Sequence, residues 1–182
     1  LVPHLIGAIK ELKDRIEAIR EEAETAVREG GTSLILSDKN ISNQKASIPS
    51  ILTVGAVHSH LVKHGLRGYC SLNVECSDAL DTHSFAVLIG VGATTVNPYL
   101  AIDSIYQRFE KKLFGKSDFE SCVVKFKKSI DAGLLKIMSK MGISVISSYR
   151  GGCNFEAVGL SRAIVSDYFS GMSSRISGIG II

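Results

Sequence analysis

The sequence predicts an α/β fold in which a short parallel sheet is flanked by helices in βαβ units, as an open sheet or as a partial or degenerate β/α barrel. From residue 31 onward, short apolar runs alternate with longer helical patterns, which is the order found in parallel sheets with crossover helices. The chain has 182 residues, of which 45% are hydrophobic and 21% are charged. This size and balance suit one globular domain.

The clearest predicted element is a helix over residues 3–29. Its apolar residues recur at alternating spacings of four and three on a charged background, which indicates a narrow amphipathic stripe. The stripe consists of Leu5, Ile9, Leu12, Ile16, Ile19, Ala23 and Ala26. Pro3 suits the first turn, and Gly30-Gly31 ends the helix. We therefore divide this domain into an N-terminal amphipathic helix, residues 1–30, and an α/β part, residues 31–182.

The α/β part begins with a predicted buried strand over residues 33–37, followed by a polar loop over 38–47. Proline and glycine mark most of the later boundaries. The later elements are a helix opened by Pro49 and closed by Gly65, a strand over 69–75, a helix over 82–90, a strand over 94–97, a helix from Pro98 to about Lys112, a helix over 118–141, a strand over 143–146, and short helices around 155–159 and 161–169.

Composition excludes several classes of function. The net charge of +3 comes without a basic block, which argues against a nucleic-acid partner. No stretch approaches the ~20 apolar residues that span a bilayer, so no membrane association is expected. The cysteines fit no zinc or iron–sulfur spacing and predict buried, reduced thiols in a cytoplasmic protein. They are Cys70, Cys76, Cys122 and Cys153.

The ends of the chain favour a piece of a longer enzyme. The first residue is Leu1 rather than methionine, and the chain ends in the apolar run 178–182. A soluble protein rarely ends by exposing such a run. We expect a segment that carries no complete catalytic site, with no catalytic, cofactor-binding or metal-binding residues of its own.

Histidines and glycines supply two candidate motifs that the sequence does not favour as sites. His60 and His64 are spaced to share a metal, but no third ligand is indicated, and surface histidines with His64 near the helix C-terminus are favoured. Gly90-Val91-Gly92 lacks the third glycine of a dinucleotide loop and precedes a strand. It predicts a helix-to-strand turn that needs a flexible backbone.

The loop over residues 147–156 is the most suggestive segment. In parallel α/β folds ligands gather where strands end, and this loop follows the predicted strand 143–146. Its glycines permit a backbone nest and its arginine suits an anion. Two roles stay open, an interdomain contact and a small-anion site, and the residues concerned are Tyr149, Arg150, Asn154 and Glu156. Cys153 beside Arg150 is a minor candidate nucleophile, since no histidine is close in sequence to act as its base.

Several collinear blocks together resemble one family, the central domain of the large (alpha) subunit of bacterial-type glutamate synthase. The resemblance covers nearly the whole chain from about residue 10. The most specific block is Gly133–Ser144, with the sequence GLLKIMSKMGIS, and it continues into 148–161. The other blocks are residues 34–38, 48–58 and 90–100.

This resemblance implies the function of a larger enzyme, an oxidoreductase that converts glutamine, 2-oxoglutarate and reductant into two glutamates. A glutaminase domain would release ammonia, which passes through a tunnel to an FMN domain with a 3Fe-4S cluster. Electrons would come from an NADPH-oxidising small subunit with FAD, or from ferredoxin. The segment itself would be a scaffold that links the two catalytic domains and helps frame the tunnel, without turnover alone. The alternative is a standalone small-anion-binding α/β module that uses the 147–156 loop.

Overall fold

The computed structural model describes residues 2–42, 46–152 and 154–180, with the backbone alone for residues 2–9. Helices and strands alternate along most of these residues. The elements are α1 (Val2–Arg28), β1 (Ser33–Ser37), α2 (Ser50–Lys63), a 3₁₀ turn (Arg67–Tyr69), β2 (Ser71–Glu75), α3 (Thr82–Gly90), β3 (Thr95–Asn97), α4 (Tyr99–Glu110), α5 (Phe119–Lys140), α6 (Ile146–Tyr149), β4 (Glu156–Leu160), α7 (Arg162–Tyr168) and β5 (Ser173–Ile179).

Two parallel sheets organise the described residues. Strands β1, β2 and β3 pair in that order, and α2 and α3 are their crossover helices. Leu36 is in register with Val74, and Val74 with Val96, so apolar side chains align on one face. Strands β4 and β5 form a second sheet of two strands, with α7 between them in the chain. Neither sheet closes into a barrel within the described residues, and the predicted α/β class is confirmed.

Most predicted elements are confirmed because their boundaries carry local signals. Asp81, Asp118 and Ser161 cap the first turns of α3, α5 and α7, each accepting a hydrogen bond from a backbone N–H three residues on. Gly65 has a φ of 70° and follows α2, as its predicted role in closing that helix requires. Gly92, with a φ of 126°, lies in the predicted flexible turn between α3 and β3.

The strand predicted over residues 143–146 is wrong. Gly142, with a φ of 70°, turns the chain directly after α5, and Ile143 packs back towards Met138. The following residues form the short helix α6, which places the ring of Tyr149 in the interior. The β-branched residues here favour a strand locally, but tertiary packing of Ile143 and Tyr149 overrides that preference.

The helix predicted around residues 155–159 is also wrong, because this segment forms β4. Its hydrogen-bonding partner is β5, which includes Gly178 and Ile179 of the apolar C-terminal run. Gly159 has a φ of 79°, which does not belong to a helix. A strand whose partner lies remote in the chain leaves little local trace in the sequence. Residues 181–182 lie outside the described part of the chain.

The burial predicted for β1 holds on one face only. Leu34 and Leu36 pack towards α1 and α2, whereas Ile35 on the opposite face is 70% exposed. In the described residues, helices cover one face of the three-stranded sheet and leave the other face open to solvent.

The core lies between the covered face of this sheet and helices α1, α2, α3, α5 and α7. One cluster includes Ile16, Val54, Val74, Phe85, Leu88, Ile130, Val165 and Tyr168. A second cluster joins α1 to α2 and β2 through Ala23, Val27, Val57, Leu61 and Leu72. The predicted stripe on α1 therefore faces the core from Leu12 onward, while Leu5 and Ile9 belong to the residues described by their backbone alone.

The cysteine prediction is confirmed for the three cysteines that the structure describes. Cys70, Cys76 and Cys122 are buried free thiols, and Cys153 lies outside the described residues.

Arg20 is a buried charge that ties α1 to two other helices. Its side chain is only 6% exposed and donates hydrogen bonds to the backbone oxygens of Ala56 in α2, at 3.3 Å, and Asp167 in α7, at 3.0 Å. The carboxylates of Glu17, at 2.7 Å, and Asp167, at 3.3 Å, balance its charge. The guanidinium also lies 4.6 Å from the ring centroid of Tyr168. This set of partners compensates the burial of the charge.

We expect Arg20→Met to lower the free energy of unfolding by about 2–3 kcal/mol, because methionine keeps the aliphatic length and leaves these hydrogen bonds unmade. Arg28→Met is the matched control. Arg28 is an exposed partner of Glu24 on the same helix, so this change should cost less than about 0.5 kcal/mol. Urea unfolding of both variants measures the difference. Equal losses of unfolding free energy in the two variants would show that the buried hydrogen bonds of Arg20 add no more stability than the exposed pair of Arg28 and Glu24.

Candidate functional site

The carboxyl edge of the three-stranded sheet brings polar side chains from neighbouring strands together. The carboxylate of Glu75 lies 2.7 Å from the ammonium of Lys39, and it accepts hydrogen bonds from Ser37, at 2.8 Å, and Asn97, at 3.2 Å. The hydrogen bond from Lys39, followed by that from Ser37, lowers the pKa of Glu75. These groups bind one another across the strand ends.

Asp38 belongs to the same edge and joins β1 to the residues that follow β2. Its Oδ2 accepts hydrogen bonds from the backbone N–H of Ser77, at 2.9 Å, and from the Ser77 hydroxyl, at 2.6 Å. Partial burial alone would raise the pKa of Asp38, but the hydrogen bonds from the hydroxyl and the backbone N–H of Ser77 outweigh it and lower the pKa. The carboxylate therefore stays ionised and holds the loop after β2.

In the loop over residues 147–156, the structure shows how three of the four predicted residues are held. The Tyr149 hydroxyl donates to the backbone oxygen of Ala86 at 3.1 Å, and the ring is fully buried. The Asn154 amide donates to the backbone oxygen of Tyr149 at 3.3 Å. Glu156 lies in β4, with its carboxylate 3.6 Å from Nε of Arg175. Since α6 replaces the predicted strand, this loop does not end a strand; its interdomain or anion-binding role stays a prediction.

A polar cluster around His58 had no clear signal in the sequence. Arg67 donates to Nδ1 of His58 at 3.1 Å, and also to the backbone oxygens of Cys70, at 2.6 Å, and Gly92, at 2.8 Å. A side chain at Gly92 would collide with the imidazole, so glycine is required there for space as well as for its positive φ. The cluster connects α2, the 3₁₀ turn and the turn before β3.

His58 is held in its neutral form. Its burial lowers the pKa to about 4, with further lowering from the nearby positive charges of Arg67 and Arg150. A neutral imidazole can accept the hydrogen bond from Arg67 at Nδ1, whereas a protonated one cannot. His58 is thus a pH-sensitive structural group, and its imidazole lies beside Gly151 of the predicted loop.

The two histidines at the end of α2 have a third neighbour that the sequence did not indicate. Glu24 of α1 lies with Oε2 2.7 Å from Nε2 of His60 and 3.9 Å from Nδ1 of His64. Nδ1 of His64 also lies 2.9 Å from the backbone oxygen of His60, which agrees with the predicted place of His64 at the helix C-terminus. One possible ligand atom from each of the three residues lies within 4.8 Å of the others.

Among the helices of the described residues, none combines the length and the apolar character needed to cross a lipid bilayer.

The fold and these clusters define a parallel α/β domain in which the polar groups described above bind largely to one another. The family model described as the glutamate synthase central domain matches residues 2–161, and the chain belongs to this family. The resemblance seen in the sequence blocks is thereby confirmed.

The relatives are much longer proteins. The chain is 58% identical over 175 residues to the glutamate synthase (NADPH) large chain of Azospirillum brasilense, covering 96% of this chain and 12% of that protein. It is 43% identical to the glutamate synthase (NADPH) large chain of Bacillus subtilis, covering 94% and 11%. It is 42% identical to the ferredoxin-dependent glutamate synthase of Pyropia yezoensis, covering 95% and 12%. The chain therefore spans about one eighth of the length of these relatives.

We expect the His58 cluster to weaken the fold as the pH falls. Because the pKa of His58 is about 4 in the folded state and 6.5 ordinarily, the unfolded chain binds more protons between these values. Stability from this group is complete above pH 6.5 and is lost towards pH 4, with a slope that approaches about 1.4 kcal/mol per pH unit. Urea unfolding at several pH values measures the slope.

The controls for this pH dependence are two glutamine variants. His58→Gln should remove the part of the slope that His58 contributes, whereas His83→Gln, at an exposed position of α3, should leave the slope unchanged. The assignment fails when His58→Gln and the unchanged protein give parallel curves between pH 4 and pH 6.5.

Proposed function

We propose that this chain is the central scaffold of a cytoplasmic glutamate synthase, linking a glutaminase domain to an FMN domain of the same polypeptide and helping to frame the ammonia tunnel between them. The complete protein would be an oxidoreductase that forms two glutamates from glutamine, 2-oxoglutarate and reductant. The segment alone would have no turnover. The family match over residues 2–161 and the small share of each relative that is covered support this proposal.

The cofactors of this reaction would belong to the rest of the polypeptide and its partner. FMN and a 3Fe-4S cluster would lie in the synthase part, and electrons would come from an NADPH-oxidising small subunit with FAD or from ferredoxin. The relatives include proteins named as NADPH-, NADH- and ferredoxin-dependent, so the electron donor varies among relatives of one central domain. On this proposal, regions other than this segment would determine the donor.

The observation that carries the linking role is the open face of the three-stranded sheet. Parallel sheets are normally covered on both faces, because their connections place helices on each side. Here helices cover the face of Leu34 and Leu36, while Ile35 on the other face is 70% exposed. The same open face carries a hydrogen-bonded ladder, with Asn73 donating to Ser33 at 2.8 Å and Thr95 donating to Asn73 at 2.7 Å. A neighbouring domain packed on this face would complete the usual arrangement.

The two parts of the chain would have different roles in this scaffold. Residues 1–30 would be a helical arm that leads into the domain, and residues 31–182 the C-terminal part of the central α/β domain. Arg20 and the packing of Ala23 and Val27 fix the arm to α2 and α7. Because its helices are packed together, this segment would hold the two catalytic domains at a fixed distance, which a flexible linker would not do.

We expect Ile35→Lys in the intact enzyme to uncouple its two half-reactions. The charge would disturb a contact on the open face while leaving the core of this domain intact. The measurement is the ratio of glutamate formed to glutamine hydrolysed, together with ammonia released into solution. We expect the ratio to fall and free ammonia to rise, with little change in glutamine hydrolysis itself. Leu113→Lys is the matched control, since Leu113 is 66% exposed in the turn after α4.

Two results would count against the scaffold. Unchanged coupling in Ile35→Lys, with the same unfolding profile as the control, would show that the open face bears no domain contact. Saturable binding of phosphate or 2-oxoglutarate that Arg150→Gln abolishes would instead support the small-anion module built on the 147–156 loop.

A further inference from the structure

We propose that Glu24, His60 and His64 form a binding site for a divalent transition-metal ion of the zinc type, which joins α1 to α2. Two imidazole nitrogens and one carboxylate oxygen are ligands that zinc takes in proteins, and three protein ligands leave a fourth position for water or an incoming ligand. The mixture of nitrogen and oxygen donors suits Zn²⁺ and Co²⁺ better than Mg²⁺ or Ca²⁺, which prefer oxygen alone.

The distances among the three residues are close to those that a metal ion requires. With bonds of about 2.0–2.1 Å, the ligand atoms of a tetrahedral zinc site lie roughly 3.3 Å apart. Oε2 of Glu24 lies 2.7 Å from Nε2 of His60 and 3.9 Å from Nδ1 of His64, one value shorter and one longer than this spacing. The two imidazole rings have centroids 4.3 Å apart. All three ligand atoms lie within 4.8 Å of one another, so side-chain rotations would have to change their separations by about 1.5 Å at most.

The helices that carry these ligands are held together by packed residues beside the cluster. Ala23 and Val27 of α1 contact the group formed with Val57 and Leu61 of α2, and all four are buried. The backbone positions of the ligands are therefore set before a metal arrives, which lowers the ordering cost of binding. The ligand side chains remain accessible, at 22% exposure for Glu24, 18% for His60 and 34% for His64.

Arg28 orients the carboxylate of Glu24 so that one carboxylate oxygen faces the two histidines. Arg28 donates from Nε to Oε1 of Glu24 at 2.8 Å, so Oε2 faces His60 and His64. This arrangement favours binding of the metal through a single carboxylate oxygen. Partners that orient a ligand in this way affect metal affinity strongly.

Both histidines must change their hydrogen bonding for the site to form, because Nε2 of His60 has to exchange its 2.7 Å contact with Oε2 of Glu24 for a bond to the metal. With Nδ1 of His64 2.9 Å from the backbone oxygen of His60, the ring donates a hydrogen bond there through its Nδ1–H in the absence of metal. Metal binding through Nδ1 requires the other tautomer, with the proton on Nε2, and exchanges this hydrogen bond for the metal bond. The backbone oxygen of His60 is at the helix end, where water can replace the lost donor.

The test is titration of the intact protein with Zn²⁺ alone, followed by calorimetry and by the unfolding temperature. We expect the unchanged protein to bind one more equivalent than the double variant His60→Gln/His64→Gln, and to gain thermal stability that the double variant does not gain. Glu24→Gln should weaken binding at this site by at least about 10-fold. His83→Gln, which removes an exposed histidine elsewhere, should bind like the unchanged protein.

The variants also separate loss of a ligand from loss of folding. Glu24→Gln keeps an oxygen that can accept from Arg28 and a side chain of the same length, so it decides the matter should the double variant unfold. Equal Zn²⁺ stoichiometry in the unchanged protein and a folded double variant would overturn the proposal. Unchanged affinity in Glu24→Gln would remove the carboxylate from the ligand set and overturn the three-residue site.

Discussion

The position of α1 depends on one buried charge. Arg20 reaches a backbone oxygen in α2 and another in α7, and its guanidinium lies over the ring of Tyr168. A charge removed from water needs partners in fixed places, so this network sets the alignment of three helices together. Both hydrophobic clusters that use α1, and the meeting of Glu24 with the histidines of α2, are compatible only with that alignment.

Much of the fold could be predicted because its boundaries are local. The amphipathic stripe, the capping aspartates and the glycines after helices act within a few residues, and the elements up to residue 140 follow them closely. The errors lie where remote contacts decide the structure. Residues 143–146 are strand-like in composition, yet the buried ring of Tyr149 draws this segment into a turn and a short helix. Strand β4 exists through its pairing with β5.

For the clusters of polar residues too, local features could be predicted, whereas contacts between residues remote in the chain could not. His64 near the end of α2 follows from its place in a helical pattern, because a helix end attracts cations and polar groups. Its neighbour Glu24 could not be predicted, since the contact joins residues of two helices whose packing has to be known first. The pairing of His58 with Arg67 is likewise a tertiary contact, although the glycine at position 92 marks a place of close approach.

The exposed and buried polar groups perform different tasks. At the edge of the sheet, Lys39 and Glu75 bind each other in contact with water, where such a pair adds little stability. Arg20 and the His58 cluster lie inside and fix the elements around them. The open face of the sheet carries neutral hydrogen-bonded side chains around Ile35, a surface that tolerates both water and a packed neighbour.

The pair of strands β4 and β5 has a consequence for how this domain opens. Two strands alone are marginal in water, and Val158, Ile176 and Ile179 of this pair are 65%, 61% and 81% exposed. The pair is anchored chiefly through α7, whose Ile164 and Val165 belong to the core. Its backbone amides should therefore exchange hydrogen with solvent well before those of β2, because the two strands can unfold locally while the rest of the domain stays folded.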